Sequence, residues 1–178
     1  FRVLFAGRIK ESKGVDVLVE ALTGLSGEFE VDIVGDGTAQ EAVRNQVESS
    51  PIDGPVTFHG WVDHNRLSKF YSRADVFVHP SLWPDPFPRV LLESFQHETP
   101  AVVSDIGGPP WVVGDAGTTF EPGNPTELMN ELSRLMANPE EVTAMREACA
   151  TQLERFDKDR VVPDIEAEYQ QLVDSPAE

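Results

Sequence analysis

The sequence predicts an α/β fold: a Rossmann-like doubly wound parallel sheet with helices on both faces, followed by a helical C-terminal third. Three observations predict it. Short runs rich in Val, Ile and Phe alternate with segments of helical apolar spacing through residue 120, the pattern of repeated strand–helix–strand units. Glycines stand where those runs end, at Gly7, Gly35, Gly37, Gly107 and Gly108. Beyond Asn124 the strand signals stop and helix starts recur.

Strands are predicted at 2–6, 30–34, 56–60, 76–80, 101–104 and 118–120, each short and bounded by Gly, Pro, Asp or Ser. Helices fall between them at 14–22, 39–47, 65–72 and 90–96. In the first helix Val15, Leu18, Val19 and Leu22 share one face at 3.6-residue spacing. Such a series builds a parallel sheet through right-handed crossovers. Asn124-Pro125-Thr126-Glu127 then reads as a helix start, with Asn as cap, Pro at the first position and Glu at the third. Asn138-Pro139-Glu140-Glu141 repeats the arrangement, and Asp157 is expected to cap a last helix carrying Val161, Ile165, Tyr169 and Leu172. No internal repeat or boundary divides the chain, so residues 1–178 are expected to form one domain. Phe1 already opens a strand and no Met precedes it, which predicts a piece of a longer protein.

Composition narrows the functional classes. The chain carries 31 acidic against 14 basic residues, a net charge of −17, and only four of the bases are Lys. Nucleic acid and anionic membranes are poor partners for that surface. Few Lys among many acids predicts a protein built for high salt, where the screening length shrinks to about 3 Å at 1 M. An ordinary acidic cytosolic protein is the alternative. No run is apolar enough for a membrane span, and none reads as a signal peptide. The single cysteine, Cys149, excludes an internal disulfide and a cysteine-based metal cage, and reads as a buried structural thiol in a reducing cytoplasm.

Four segments carry candidate chemistry, all at strand ends. Residues 7–14, Gly-Arg-Ile-Lys-Glu-Ser-Lys-Gly, join the first strand to a helix. Gly7 permits close backbone approach, the Arg8 guanidinium suits a phosphate, and Lys13 adds a mobile point charge. In a chain so poor in bases, Arg8 and Lys13 in one Gly-flanked loop suit a diphosphate; the alternative is that they solvate a turn. Val34-Gly35-Asp36-Gly37 is a second strand-to-turn junction, but without the third glycine of a dinucleotide fingerprint. Phe58-His59-Gly60-Trp61-Val62 ends the third strand; it suits the floor of a nucleobase pocket, although His59 and Trp61 taken singly read as packing residues. In the stretch 79–108, Asp85 lies in a Pro-rich loop and Glu93 eight positions on inside a helix, so both acids can address one ligand over the helix start. A carboxylate accepts two hydrogen bonds from vicinal hydroxyls, so Glu93 suits a ribose diol, and Asp85 suits a sugar or charge at an anomeric carbon.

Read together, these segments resemble the C-terminal half of a retaining glycosyltransferase of the large group 1, or family-four, class with the two-Rossmann GT-B architecture. The residues that carry the resemblance are Gly7-Arg8 with Lys13-Gly14, Val34-Gly35-Asp36-Gly37, the run 58–62, the run 74–81, Asp85-Pro86-Phe87 through Glu93-Ser94, and Thr99-Pro100 to Gly107-Gly108, covering about residues 1–155. The resemblance implies one half of a GT-B fold, with an N-terminal acceptor domain outside this chain. It implies that Arg8 and Lys13 contact a donor diphosphate and steady the departing nucleoside diphosphate. Glu93, the second acid of an E-x7-E motif, would bind the ribose, and Asp85, the first, would lie by the donor sugar. Backbone N–H groups at Phe87, Arg89 and Val90 would hold sugar and phosphate oxygens, and Gly35, Trp61 and Val62 would border the nucleotide. Asp85, Arg8 and Lys13 are thus the catalytic candidates.

The implied activity is transfer of a hexose from a nucleoside diphosphate to a saccharide, lipid or small-molecule hydroxyl, with no metal and no cofactor beyond the donor substrate. The implied location is the cytoplasm or the inner face of the membrane, and this chain alone is expected to bind donor without transferring it. Four departures mark the motif: Asp85 replaces the usual Glu, Pro88 the usual Gly, Ser94-Phe95-Gln96-His97-Glu98 the usual Ala-Met-Ala-x-Gly, and Trp111 the usual acid. Two alternatives stay open on those grounds: a degenerate nucleotide-sugar-binding or scaffold domain, and another enzyme on the same fold, such as a sugar-nucleotide epimerase or a phosphorylase.

Overall fold

The structure is a computed structural model and describes residues 1–174. Six strands, β1 (Arg2–Ala6), β2 (Glu30–Val34), β3 (Val56–Gly60), β4 (Val76–His79), β5 (Ala101–Ser104) and β6 (Gly117–Phe120), form one sheet in the order β3-β2-β1-β4-β5-β6. Every pairing is parallel, with Val3 opposite both Val31 and Val76. The order reverses between β1 and β4, the position at which open α/β sheets place a ligand crevice.

Helices cover both faces: α1 (Val15–Leu22), α2 (Gln40–Ser49), α3 (His64–Tyr71), α4 (Arg89–Phe95), α5 (Pro109–Val113), α6 (Pro125–Ala137), α7 (Pro139–Arg155) and α8 (Lys158–Asp174). Because successive strand residues point to opposite faces, the core divides in two. Val3, Phe5, Val31, Ile33, Val76 and Val78 face one layer with Leu18 and Leu22 of α1 and Leu128, Leu132 and Leu135 of α6. Leu4, Ala6, Phe77, Ala101 and Val103 face the other, with Leu91 and Phe95 of α4, Val112 of α5 and Cys149 of α7. Helix α1 shows which force decides. Its three valines each disfavour a helix by roughly 0.6 kcal/mol, but all three are buried, and burial of such a side chain contributes about 2 kcal/mol.

The predicted strands match within a residue. β4 stops at His79 instead of residue 80, because Pro80 has no N–H for the ladder. Asn124 caps α6 as expected, its side chain accepting from the Glu127 N–H at 3.1 Å. Asn138 does not cap α7: its Nδ2 donates backwards to the Arg134 carbonyl at 2.6 Å. Asp157 accepts from the Asp159 N–H at 2.8 Å at the start of α8. Of the apolar row expected on α8, Val161 is half-buried, Ile165 and Tyr169 are exposed, and the Leu172 side chain lies outside the described residues. Helix α5 is absent from the sequence expectation, because Gly-Gly-Pro-Pro reads as a turn; both prolines sit in its first turn, where no helical N–H is required. Among the described residues no helix is long and apolar enough to cross a membrane.

Candidate functional site

The carboxyl ends of β1, β2 and β4 converge on one crevice. Backbone bonds tie their loops together. The Gly7 N–H donates to the Val34 carbonyl at 3.0 Å, Ile9 to Asp36 at 2.8 Å, and Leu82 to Ser12 at 3.0 Å. Two close approaches need glycine. A Cβ on Gly35 would stand 1.9 Å from the Gly7 carbonyl oxygen, and one on Gly14 would stand 2.0 Å from that of Pro80. Gly14 therefore fastens the β1 loop to the β4 loop across the switch point, and Gly35 fastens it to the β2 loop.

Two cavities open there and share Ala6, Gly7 and Arg8, so they form one trough. The first, about 280 Å³, lies over β1 and β2 and is lined by Gly35, Asp36, Trp61, Val62 and Leu67. The second, about 380 Å³, runs towards α4 and is lined by Lys13, His79, Asp85, Phe87, Pro88, Arg89, Val90 and Glu93. The donor-site candidates Gly7, Arg8, Lys13, Gly35, Trp61, Val62, Asp85, Phe87, Arg89, Val90 and Glu93 all lie on these walls, whereas Phe58, His59 and Gly60 do not. Trp61, expected to pack, is exposed at the rim, whereas His59 does pack: its Nε2 lies 2.5 Å from Asp32 Oδ1 and its ring 4.5 Å from that of Phe70.

The charges inside are few and close. Among the described residues Arg8 and Arg89 have no ion-pair partner, and both are exposed to the trough. Lys13 is not free, contrary to the simplest expectation: its ammonium pairs with Asp85 Oδ2. The Gly108 N–H holds the Asp85 carbonyl at 2.8 Å. Gly107-Gly108 thus positions the loop from beneath. Among the described residues the Phe87, Arg89 and Val90 N–H groups find no hydrogen-bond partner, whereas Pro88 has no N–H to offer.

Two buried groups were missed from the sequence. His79, the last residue of β4, is 4% exposed, and burial together with the Lys13 ammonium pushes it down to about 4 despite the nearby Asp85. It is therefore a neutral imidazole at neutral pH. Tyr71 is buried beneath Glu93, and burial and that carboxylate push its hydroxyl far above the usual phenol range. The available signal for His79 was a polar residue ending an otherwise apolar strand. Trp111, one of the departures, lies outside the trough and packs edge-on against Phe156 at 5.0 Å, with Arg155 over both rings. Among the described residues no group of three His, Cys, Asp or Glu side chains is arranged to hold a metal ion.

What this geometry can do is hold a polyanion at Arg8, and hydroxyl-bearing groups at Glu93 and Asp85, along a single trough. Known proteins resemble the chain in sequence and in fold. The lipopolysaccharide core biosynthesis glycosyltransferase LpsE of Rhizobium meliloti is 30% identical over 138 residues, which is 76% of this chain and 39% of LpsE. Anabaena HepE, solved in complex with UDP and glucose, superposes with a TM-score of 0.84 over 96% of this chain and 48% of its own, at 24% identity. The C-terminal domain of the group 1 glycosyl transferase LpcC from Francisella tularensis superposes with a TM-score of 0.77 over 87% of this chain and 85% of that domain, at 18% identity. The chain spans 34–39% of the length of the curated relatives it matches. Residues 1–152 match the model of the family described as glycosyl transferases group 1, and with the six-stranded sheet of a GT-B half beneath that match, the chain belongs to this family.

Proposed function

We propose that the trough binds a nucleoside-diphosphate sugar, and that the whole protein transfers its glycosyl group to a hydroxyl acceptor with retention of anomeric configuration. One observation carries the reading: an unpaired Arg8 stands where the two cavities meet, with Glu93 on the wall of one and the apolar Val62 and Leu67 on the wall of the other. The base would lie over β2 between Trp61 and Val62, the ribose would bond to Glu93, and the diphosphate would meet Arg8 and Lys13. As the acceptor oxygen attacks the anomeric carbon, the bond to the diphosphate breaks, its electron pair stays on the departing phosphate, and a phosphate oxygen takes up the acceptor hydroxyl's proton. Arg8 and Lys13 neutralise that charge. One cation at 4 Å contributes about 4 kcal/mol at an effective dielectric of 20. LpsE is named as a glycosyltransferase, and the HepE structure holds UDP and glucose on a similar fold.

The acceptor, a saccharide, lipid or small molecule, would be held by an N-terminal domain that belongs to the rest of the protein, and a hexose is the expected group. Donor and acceptor are the only partners in this reading, with no metal or cofactor required, and the cytoplasm is its compartment. Calorimetry with UDP, GDP and ADP in high and low salt tests the first half. Binding of one of them, weakened at least tenfold by Arg8→Ala and by Glu93→Ala, is the expected result. Heat with none of the three refutes it. Assay of the full-length protein with the glucose conjugates tests transfer.

A second reading rests on the ion pair between Lys13 and Asp85 together with Pro88: a domain that binds nucleotide sugar without turning it over. Binding by the full-length protein with neither transfer nor donor hydrolysis would favour it.

A further inference from the structure

The trough contains one buried polar atom that the donor reading leaves unused. Among the described residues Nε2 of His79 has no hydrogen-bond partner, and it faces Asp85 Oδ2 at 3.4 Å, just outside bonding distance. The same oxygen, Oδ2, is the one that Lys13 holds. Two groups therefore address a single carboxylate oxygen, and one of them is satisfied. An orphaned buried imidazole nitrogen is costly, because water cannot replace the missing bond. Such an arrangement is explained if the protein has a second state in which the bond forms.

The rest of the trough supplies that state. Lys13 sits at the end of a flexible side chain beside Gly14 and faces the cavity assigned to the diphosphate. A diphosphate carries more charge than one carboxylate and draws the ammonium away. Asp85 would then be a partly buried anion without a counter-charge. His79 is next to it, neutral, with its ring held in the β4 terminus against Phe77. A shift of about half an ångström brings Nε2 and Oδ2 to hydrogen-bond distance.

Resting on the donor-site reading above, we propose that Asp85 exchanges partners when a nucleoside diphosphate enters: Lys13 leaves Oδ2 for the phosphates, and the His79 Nε2–H takes that oxygen, fixing the carboxylate so that Oδ1 accepts from a hydroxyl of the donor sugar. His79 is then a positioning residue that acts through Asp85. Recognition of the sugar is conditional on the diphosphate, which keeps free sugars from occupying the site.

Imidazole ¹⁵N resonances of His79, assigned by their loss in His79→Gln, test the exchange. The ligand-free Lys13→Ala protein is expected to show His79 in its hydrogen-bonded position, and the wild type is expected to move to that position when UDP, GDP or ADP binds. In titrations, His79→Leu should lose about tenfold in affinity for the glucose conjugate relative to its own affinity for the bare diphosphate, with His79→Gln recovering most of that ratio. Identical His79 resonances in wild type and ligand-free Lys13→Ala overturn the proposal, as does an equal loss for conjugate and diphosphate in His79→Leu. If the wild type binds none of the diphosphates, the donor reading fails, and the ligand-free comparison still decides whether Asp85 has two partners.

Discussion

Replacing Gly14 by Ala tests how the crevice is built. Gly14 has φ +63°, and a Cβ there would stand 2.0 Å from the Pro80 carbonyl oxygen, more than 1 Å inside contact distance. Two costs follow. The left-handed backbone costs an L-residue about 1–2 kcal/mol, and relieving the overlap by moving a packed loop costs about 1–3 kcal/mol. Together they predict a loss of about 3 kcal/mol. For a domain of this size that lowers the Tm by roughly 6–12 °C. Gly60 supplies the control. It has φ +67° with nothing within 4 Å of its Cβ position, so Gly60→Ala should show the backbone cost alone, about 1 kcal/mol. Urea unfolding followed by circular dichroism measures both. The displaced loop also carries Ser12 and Lys13, so Gly14→Ala should weaken diphosphate binding where Gly60→Ala spares the cations. Equal losses in the two variants, or a loss below 1 kcal/mol at Gly14, would refute the view that this contact clamps the β1 and β4 loops.

Other outcomes follow from the same structure. His79 is pushed from 6.5 down to about 4 in the folded state, first by burial and then by Lys13, with Asp85 opposing. The unfolded chain therefore takes up a proton that the folded chain refuses between pH 6.5 and 4, and stability falls as pH falls through that window, by up to about 3 kcal/mol; unfolding midpoints against pH should show that slope, and His79→Leu should flatten it. Burial pushes the Cys149 thiol up to about 12, so a disulfide reagent at pH 8 should leave the native protein unlabelled and react once it is unfolded in urea. Asn124→Ala removes the N-terminal cap of α6 and should cost about 1 kcal/mol, whereas Asn138→Ala, whose side chain leaves the α7 start uncapped and holds only the Arg134 carbonyl at the exposed end of α6, should cost less; thermal melts of the pair separate the two.

The sequence by itself determined the layered fold, because both signals involved are local. Strands buried on two faces must be apolar throughout, as in Val76-Phe77-Val78, and helices on a sheet must show one apolar stripe, as in α1; neither pattern needs a distant residue to be read. The same holds for the Gly-flanked loops, since a parallel sheet puts all its strand ends at one edge and so gathers Arg8, Gly35, Trp61, Asp85 and Glu93 without further information. Tertiary structure alone decided the pairings within that edge. Lys13 and Asp85 are 72 positions apart, and nothing in either neighbourhood announces their ion pair. His79 looks like one more strand residue until the fold buries it against Asp85, and Asn138 looks like a cap until the turn of α6 draws its amide backwards. Side-chain partners are chosen by distances of a few tenths of an ångström between remote segments, and local patterns carry no record of those distances.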